Sequence, residues 1–153
     1  MRYWSSLGPE VHVVDGSQMP LKNDDLSGLN ENIHYHHIKE GFYSRLAYIL
    51  PHIKTKYTSL ISDDEFFLPS GLKIAIEFLD SNPEFVTCSG QCIRFIECGN
   101  NIFWRKDYNK LKGYSVLNPD PSERMIHHLS DYAPSTIYGV SRTDDWKFVV
   151  ALV

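Results

Sequence analysis

Short runs of β-branched and aromatic residues, separated by turn-forming residues, predict the strands of this chain. The clearest run is Val11-His12-Val13-Val14, which is ended by Asp15-Gly16-Ser17. A second strand has alternating side chains, so that Ile33, Tyr35 and His37 share one face and His34 and His36 the other. Strands are therefore predicted at residues 11–14, 33–37, 57–62, 85–96 and 136–141.

Apolar residues at helical spacing predict the helices between those strands. The pattern covers residues 1–8, 41–53, 69–80 and 122–132, and a last helix begins at Thr143-Asp144-Asp145. Ser122 is the expected N-cap of the fourth helix. Strands that alternate with helices indicate an α/β fold, and we expect a mostly parallel open sheet with helices on both faces.

Composition narrows the functional classes. With 153 residues the chain is most simply one domain, and its net charge of −4 gives no electrostatic footprint for nucleic acid or an anionic membrane. No stretch approaches the roughly 18 apolar residues of a membrane span. The first residues lack a signal-peptide pattern, so a cytoplasmic location is predicted.

Cysteine and histidine residues give no metal site by their spacing. Cys88, Cys92 and Cys98 do not match the paired knuckles of structural zinc sites, and we interpret them as ordinary small residues. Two histidines on one strand face supply only part of a tetrahedral ligand set. No ligand near them in the sequence completes it, so a metal at residues 34–37 is disfavoured.

An acidic turn follows the predicted central strand. Asp63, Asp64 and Glu65 come directly after residues 57–62, and Pro69 opens the next helix. Open α/β sheets bind ligands at the carboxyl ends of their strands, and hard carboxylate oxygens suit Mg²⁺ or Mn²⁺. The alternative is a solvated turn that places negative charge near the N-terminus of the helix.

Two more candidate residues are predicted near the carboxyl ends of strands. Asp15 ends the first strand, and Arg45 lies early in helix 41–53. A plain surface charge is the alternative for Arg45. Phosphate-loop, dinucleotide and nucleophile-elbow motifs are absent from the sequence, which disfavours NTPases, Rossmann enzymes and serine hydrolases.

Three segments resemble the nucleotide-sugar-binding half of GT-A glycosyltransferases, in particular family 2. They are Val13-Val14-Asp15-Gly16-Ser17, Arg45, and the segment from Leu60 to Pro69, which is similar to the family's Asp-x-Asp region. The resemblance implies that Asp15 and Arg45 bind the nucleotide and that Asp63 contacts the ribose. It implies that Asp64, with Glu65 as a second ligand, holds Mn²⁺ or Mg²⁺ at the diphosphate.

The resemblance also implies an organisation and a reaction. A single domain over 1–153 would divide into a nucleotide-sugar-binding half, 1–96, and an acceptor-side half, 97–153, and would transfer a sugar to a glycan or other acceptor. The family's first strand would precede residue 1, so we expect a truncated domain whose unpaired strand edges favour a homo-oligomer. The catalytic base is unknown, because the late acids Asp131, Asp144 and Asp145 lack a matching context.

Two other functions stay open at this point. A catalytically inactive binding or scaffold fragment of the same fold would bind nucleotide without sugar transfer, or bind nothing. A nucleotidyltransferase-like enzyme would also use carboxylates and metal, but it would prefer a nucleoside triphosphate and a sugar phosphate.

Overall fold

A computed structural model describes residues 1–108, 113–130, 132 and 134–152. It forms two compact units. The first is Met1–Thr58 together with the C-terminal segment from Arg142, and the second is Ser59–Ser141. Each unit is described by itself.

The elements are short, and strands and helices both occur in each unit. The helices are α1 (Arg2–Ser5), α2 (Asn23–Leu26), α3 (Phe42–Ile49), α4 (Pro69–Ser81), α5 (Pro121–Ser130) and α6 (Thr143–Val150), with a 3₁₀ turn at Pro134–Tyr138. The strands are β1 (Val11–Asp15), β2 (Ile33–His37), β3 (Tyr57–Thr58), β4 (Thr87–Cys88), β5 (Cys92–Cys98), β6 (Asn101–Asp107) and β7 (Val140–Arg142).

A parallel pair of strands, β1 and β2, organises the first unit. The pairing is in register from Val11 opposite Ile33 to Asp15 opposite His37. Helix α3 packs against β1 and against α6, and it buries Ile49. The Lys147 ammonium donates to the carbonyl oxygen of Ile53 at 2.6 Å, which fixes α6 to the segment after α3.

Helix α4 and two antiparallel pairings organise the second unit. Helix α4 packs against β4 and buries Ala75 and Leu79, which lie one helical turn apart on the same face. Residues of β4 pair with the first residues of β7, and β5 pairs with β6. The β5–β6 turn uses Gly99 at φ +60°, a conformation that glycine adopts without strain.

The predicted mostly parallel open sheet with helices on both faces is wrong. The only extended parallel pairing within the described residues is β1–β2, whereas β4–β7 and β5–β6 are antiparallel. The resemblance to GT-A glycosyltransferases, which predicted that sheet, is overturned with it. Apolar runs indicate which strands are buried. They do not indicate which strands are neighbours in a sheet, or whether two neighbours run parallel or antiparallel.

Three predicted strands differ from the structure. Residues 136–141 contain the end of the 3₁₀ turn Pro134–Tyr138 and only the first residues of β7. Strand geometry in residues 57–62 ends at Thr58, and the Ser59 hydroxyl instead donates to the carbonyl oxygens of Tyr138 (2.9 Å) and Gly139 (3.1 Å). The predicted strand 85–96 is divided into β4 and β5 at the segment that contains Gly90. Short polar side chains and glycine thus interrupt runs that are otherwise apolar.

Several local predictions are confirmed. Strand β2 has the predicted bounds, and α4 matches residues 69–80 to within one residue.

The predicted N-cap of the fourth helix is wrong. Helix α5 is capped by Asp120 and not by Ser122, because the Asp120 carboxylate accepts the backbone N–H groups of Ser122 (2.7 Å) and Glu123 (3.3 Å). None of the described helices has both the length and the apolar character that crossing a membrane requires.

Candidate functional site

Parallel pairing brings the last residues of β1 and β2 to one edge of the first unit. Asp15 lies opposite His37 in the register. The Tyr35 hydroxyl donates to Asp15 Oδ2 at 2.5 Å and accepts the backbone N–H of Leu21 at 2.9 Å. We call this region, with Ser17 and Arg45, the carboxyl edge.

Hydrogen bonds hold Asp15 in its ionised form. Besides Tyr35, its carboxylate accepts the backbone N–H of Ser17 at 2.8 Å and the Ser17 hydroxyl at 3.0 Å. These donors, with Tyr35 as the largest contribution, lower the pKa of Asp15 to about 2. At neutral pH the carboxyl edge therefore presents a fixed negative charge that can accept a further donor from a ligand.

Arg45 lies at the same edge because Gly16 has no side chain. Its Nη1 atom donates to the Val14 carbonyl oxygen at 3.4 Å. A Cβ atom placed on Gly16 would lie 2.6 Å from Cζ of Arg45. Within the described residues, Nε of Arg45 is shielded from solvent and has no hydrogen-bond partner. The structure thus brings Arg45 close to the backbone beside Asp15, while the substrate-binding role of both residues stays a prediction.

The lowered pKa of Asp15 predicts an acid-dependent loss of stability. The folded pKa of about 2 lies below the ordinary value of 3.8, so the carboxylate stabilises the fold at pH values above about 4. That contribution is lost as the pH falls through about 2. Urea unfolding from pH 2 to pH 6 is expected to give a steeper decline for the wild type than for Asp15→Asn. Parallel curves for the two proteins would contradict the assignment.

The acidic turn is exposed and lies in the second unit. Asp63, Asp64 and Glu65 follow Ser62, whose hydroxyl lies 3.0 Å from the Tyr138 hydroxyl. Their oxygen atoms suit Mg²⁺ or Mn²⁺ by type, but they do not form a group of three ligand atoms within 4.8 Å. A cation there would take further ligands from substrate phosphates or water, as Mg²⁺ ordinarily does.

The other candidate residues are distributed as follows. Asp144 and Asp145 occupy the first turn of α6, where they complement the helix dipole. Asp131 lies outside the described residues. Cys88, Cys92 and Cys98 are free thiols, and burial raises the pKa values of Cys88 and Cys92, so both are poor nucleophiles at neutral pH.

A cluster of histidines, which the sequence argument missed, covers the face of β1–β2 that carries His12. The register places His12 beside His34, and their rings stack with centroids 4.8 Å apart. His36 and His52 also lie against this group, with ring centroids 5.2 Å apart. We call these four residues, with Glu10, the histidine cluster. The alternation of side chains in each strand could have shown that His12, His34 and His36 each lie on one strand face. Only the register of β1 with β2 shows that these faces are the same.

Electrostatics keep part of this cluster neutral. Burial is the largest cause that lowers the pKa of His12, and His34 and His52 lower it further, against the opposing effect of the Glu10 carboxylate. Burial also lowers the pKa of His36, with further contributions from His12, His52 and His34. Neutral imidazoles offer a nitrogen lone pair, which is the form that binds metal ions.

Comparisons with protein-family models, with curated proteins and with solved structures give no match. Functional inference for this chain consequently rests on its own residues and their geometry.

Proposed function

We propose that the chain transfers a sugar from a nucleotide-diphosphate sugar to an acceptor, with the carboxyl edge as the nucleotide site. The observation that carries this proposal is an ionised Asp15 at the carboxyl ends of two parallel strands, with the Arg45 guanidinium bonded to the backbone of the neighbouring Val14. Ligands of parallel α/β units bind at such ends. A nucleoside offers N–H and hydroxyl donors to the carboxylate, and Arg45 offers donors to acceptor atoms of the nucleotide.

The acidic turn, which belongs to the other unit, is a separate prediction of a divalent-cation site. A nucleoside diphosphate accumulates negative charge as it leaves the sugar, and Mn²⁺ or Mg²⁺ stabilises that charge. The separate roles that the sequence resemblance implied, Asp63 at the ribose and Asp64 with Glu65 at the cation, stay predictions of the sequence. The acceptor hydroxyl also requires a general base, which is not assigned.

Thermal unfolding with UDP, GDP, CDP and ADP, each with and without Mn²⁺, tests the nucleotide site. A ligand at 100 times its Kd adds roughly 2.7 kcal/mol to the stability of the native state. We expect a rise in Tm with one nucleotide, enhanced by Mn²⁺, that is lost in Asp15→Asn. The Mn²⁺ dependence alone should be lost in Asp64→Asn. Asp24→Asn, an exposed aspartate of α2, is the matched control and should behave as the wild type.

Turnover distinguishes the competing functions. Release of nucleoside diphosphate from the matching nucleotide sugar, dependent on Asp64, supports transfer. Stabilisation without release favours a binding or scaffold protein, and use of a nucleoside triphosphate with a sugar phosphate favours a nucleotidyltransferase. If no nucleotide changes the Tm, the carboxyl edge is not a nucleotide site and the proposal fails.

The proposal names the acceptor only by its chemical class. The acceptor is a glycan or another hydroxyl-bearing molecule. Self-association, a cytoplasmic location and the absence of nucleic-acid binding stay predictions of the sequence.

A further inference from the structure

We propose that Glu10, His12 and His34 bind one Zn²⁺ ion on the histidine-bearing face of β1–β2. This site is independent of the nucleotide site: side chains alternate along a strand, so His12 and His34 lie on the face opposite Asp15 and Tyr35. Each of the three residues offers one ligand atom, and these atoms all lie within 4.8 Å of one another.

Two of the three spacings between ligand atoms are close to those of a zinc tetrahedron. Glu10 Oε1 lies 3.0 Å from His12 Nε2 and 3.6 Å from His34 Nε2. Zinc–nitrogen bonds of about 2.0–2.1 Å at tetrahedral angles separate neighbouring ligand atoms by about 3.3 Å. The ligand atoms of His12 and His34 lie within 4.8 Å of each other, and rotation of the partly exposed Glu10 and His34 side chains would bring all three ligands to one ion.

A neighbouring histidine orients the central ligand. Nε2 of His36 lies 3.2 Å from Nδ1 of His12. When Zn²⁺ takes the Nε2 lone pair of His12, the ring proton resides on Nδ1 and donates to His36. Metal-binding histidines are held in this way by a partner at the second ring nitrogen, which fixes both tautomer and ring orientation. His52 and Tyr48 pack against His36 and limit its movement.

The ligand types select the metal. Two imidazole nitrogens with one carboxylate oxygen suit Zn²⁺ and its neighbours in the first transition series, whereas Mg²⁺ and Ca²⁺ prefer oxygen alone. Sites with three protein ligands keep a fourth position for water or an external ligand. Bound Zn²⁺ would join the segment before β1 to both strands, and so would stabilise the first unit.

Zinc titration of the chelator-treated full chain tests the site. We expect one equivalent of Zn²⁺ to bind by calorimetry and to raise the Tm, with Mg²⁺ having no such effect. Co²⁺ in place of Zn²⁺ should give the intense visible absorption of a four-coordinate ion. Glu10→Gln and His34→Gln should each weaken Zn²⁺ binding at least about tenfold, since the loss of an outer-shell partner alone costs about 10–100-fold. The side chains of Glu10 and His34 are 35% and 43% exposed, so both variants should fold, whereas His12 is only 13% exposed.

Matched controls separate this site from other binding. His37→Gln changes a histidine of the same strand whose ring bonds the Ser17 carbonyl oxygen, and it should bind Zn²⁺ as the wild type does. Asp64→Asn should leave Zn²⁺ binding unchanged as well. The proposal is overturned if the wild type binds no Zn²⁺, or if Glu10→Gln and His34→Gln bind it as tightly as His37→Gln. Neither result bears on nucleotide binding, so the two proposals fail separately.

Discussion

Leu79→Ala is expected to lower the free energy of unfolding of the Ser59–Ser141 unit by about 2–5 kcal/mol. Leu79 is 0% exposed and lies on the buried face of α4, the helix that packs against β4. Removal of its side-chain carbons loses their transfer free energy and leaves a cavity. Since domains of this size are stable by about 5–15 kcal/mol in total, this is a large fraction of what holds the unit together.

Ile74→Ala provides the matched control for that experiment. Ile74 is in the same helix but is 66% exposed, so its truncation is expected to change stability by no more than about 0.5 kcal/mol. Urea unfolding followed by circular dichroism and tryptophan fluorescence measures both variants. Equal effects at the two positions would show that the buried face of α4 is assigned wrongly.

Gly16→Ala is expected to weaken nucleotide binding about tenfold or more while leaving the fold intact. The new Cβ atom would collide with the guanidinium of Arg45, which is the end of a flexible side chain and can move away. Gly16 does not have a positive φ, so alanine adds no backbone strain. Hydrogen bonds to charged groups contribute about 1.5–3 kcal/mol, which sets the size of the expected loss.

Nucleotide titrations compare this variant with two others. Arg45→Ala should lose a similar amount of affinity, because both changes remove the guanidinium from the carboxyl edge. Gly41→Ala should keep wild-type affinity, since a Cβ atom added at Gly41 would meet no atom within 4 Å. Unchanged affinity in Gly16→Ala would contradict the role of Arg45 in nucleotide binding.

Local structure was largely accessible from the sequence. Alternation placed β2 at its observed residues, and helical spacing with Pro69 at the first turn placed α4. These signals depend on neighbours within one or two turns of chain, and local sterics and burial determine them. The predicted sheet failed because strand pairing depends on residues far apart in sequence, which periodicity does not encode.

The candidate site residues were also predicted only in part from the sequence. Asp15 and Arg45 were identified from their positions at the ends of elements. Parallel pairing then placed Asp15 at the carboxyl edge, and the packing of α3 against β1 brought Arg45 to the backbone of Val14. The acidic turn was found as a run of like charges, but its carboxylates do not converge. The histidine cluster was missed because its ligands come from two strands, and their spacing in sequence matches no metal motif.

The sequence by itself determined β2, α4 and the start of α6, and it supplied Asp15 and Arg45 as candidates, because backbone preference and side-chain type are local properties. Only the tertiary structure decided the rest. The β1–β2 register joined His12 to His34, the absence of a side chain at Gly16 admitted Arg45, and hydrogen bonds from Tyr35 and Ser17 fixed the charge of Asp15. The contacts of His12 with His34, of Gly16 with Arg45 and of Asp15 with Tyr35 join atoms that are distant in the chain, and only folding creates such contacts.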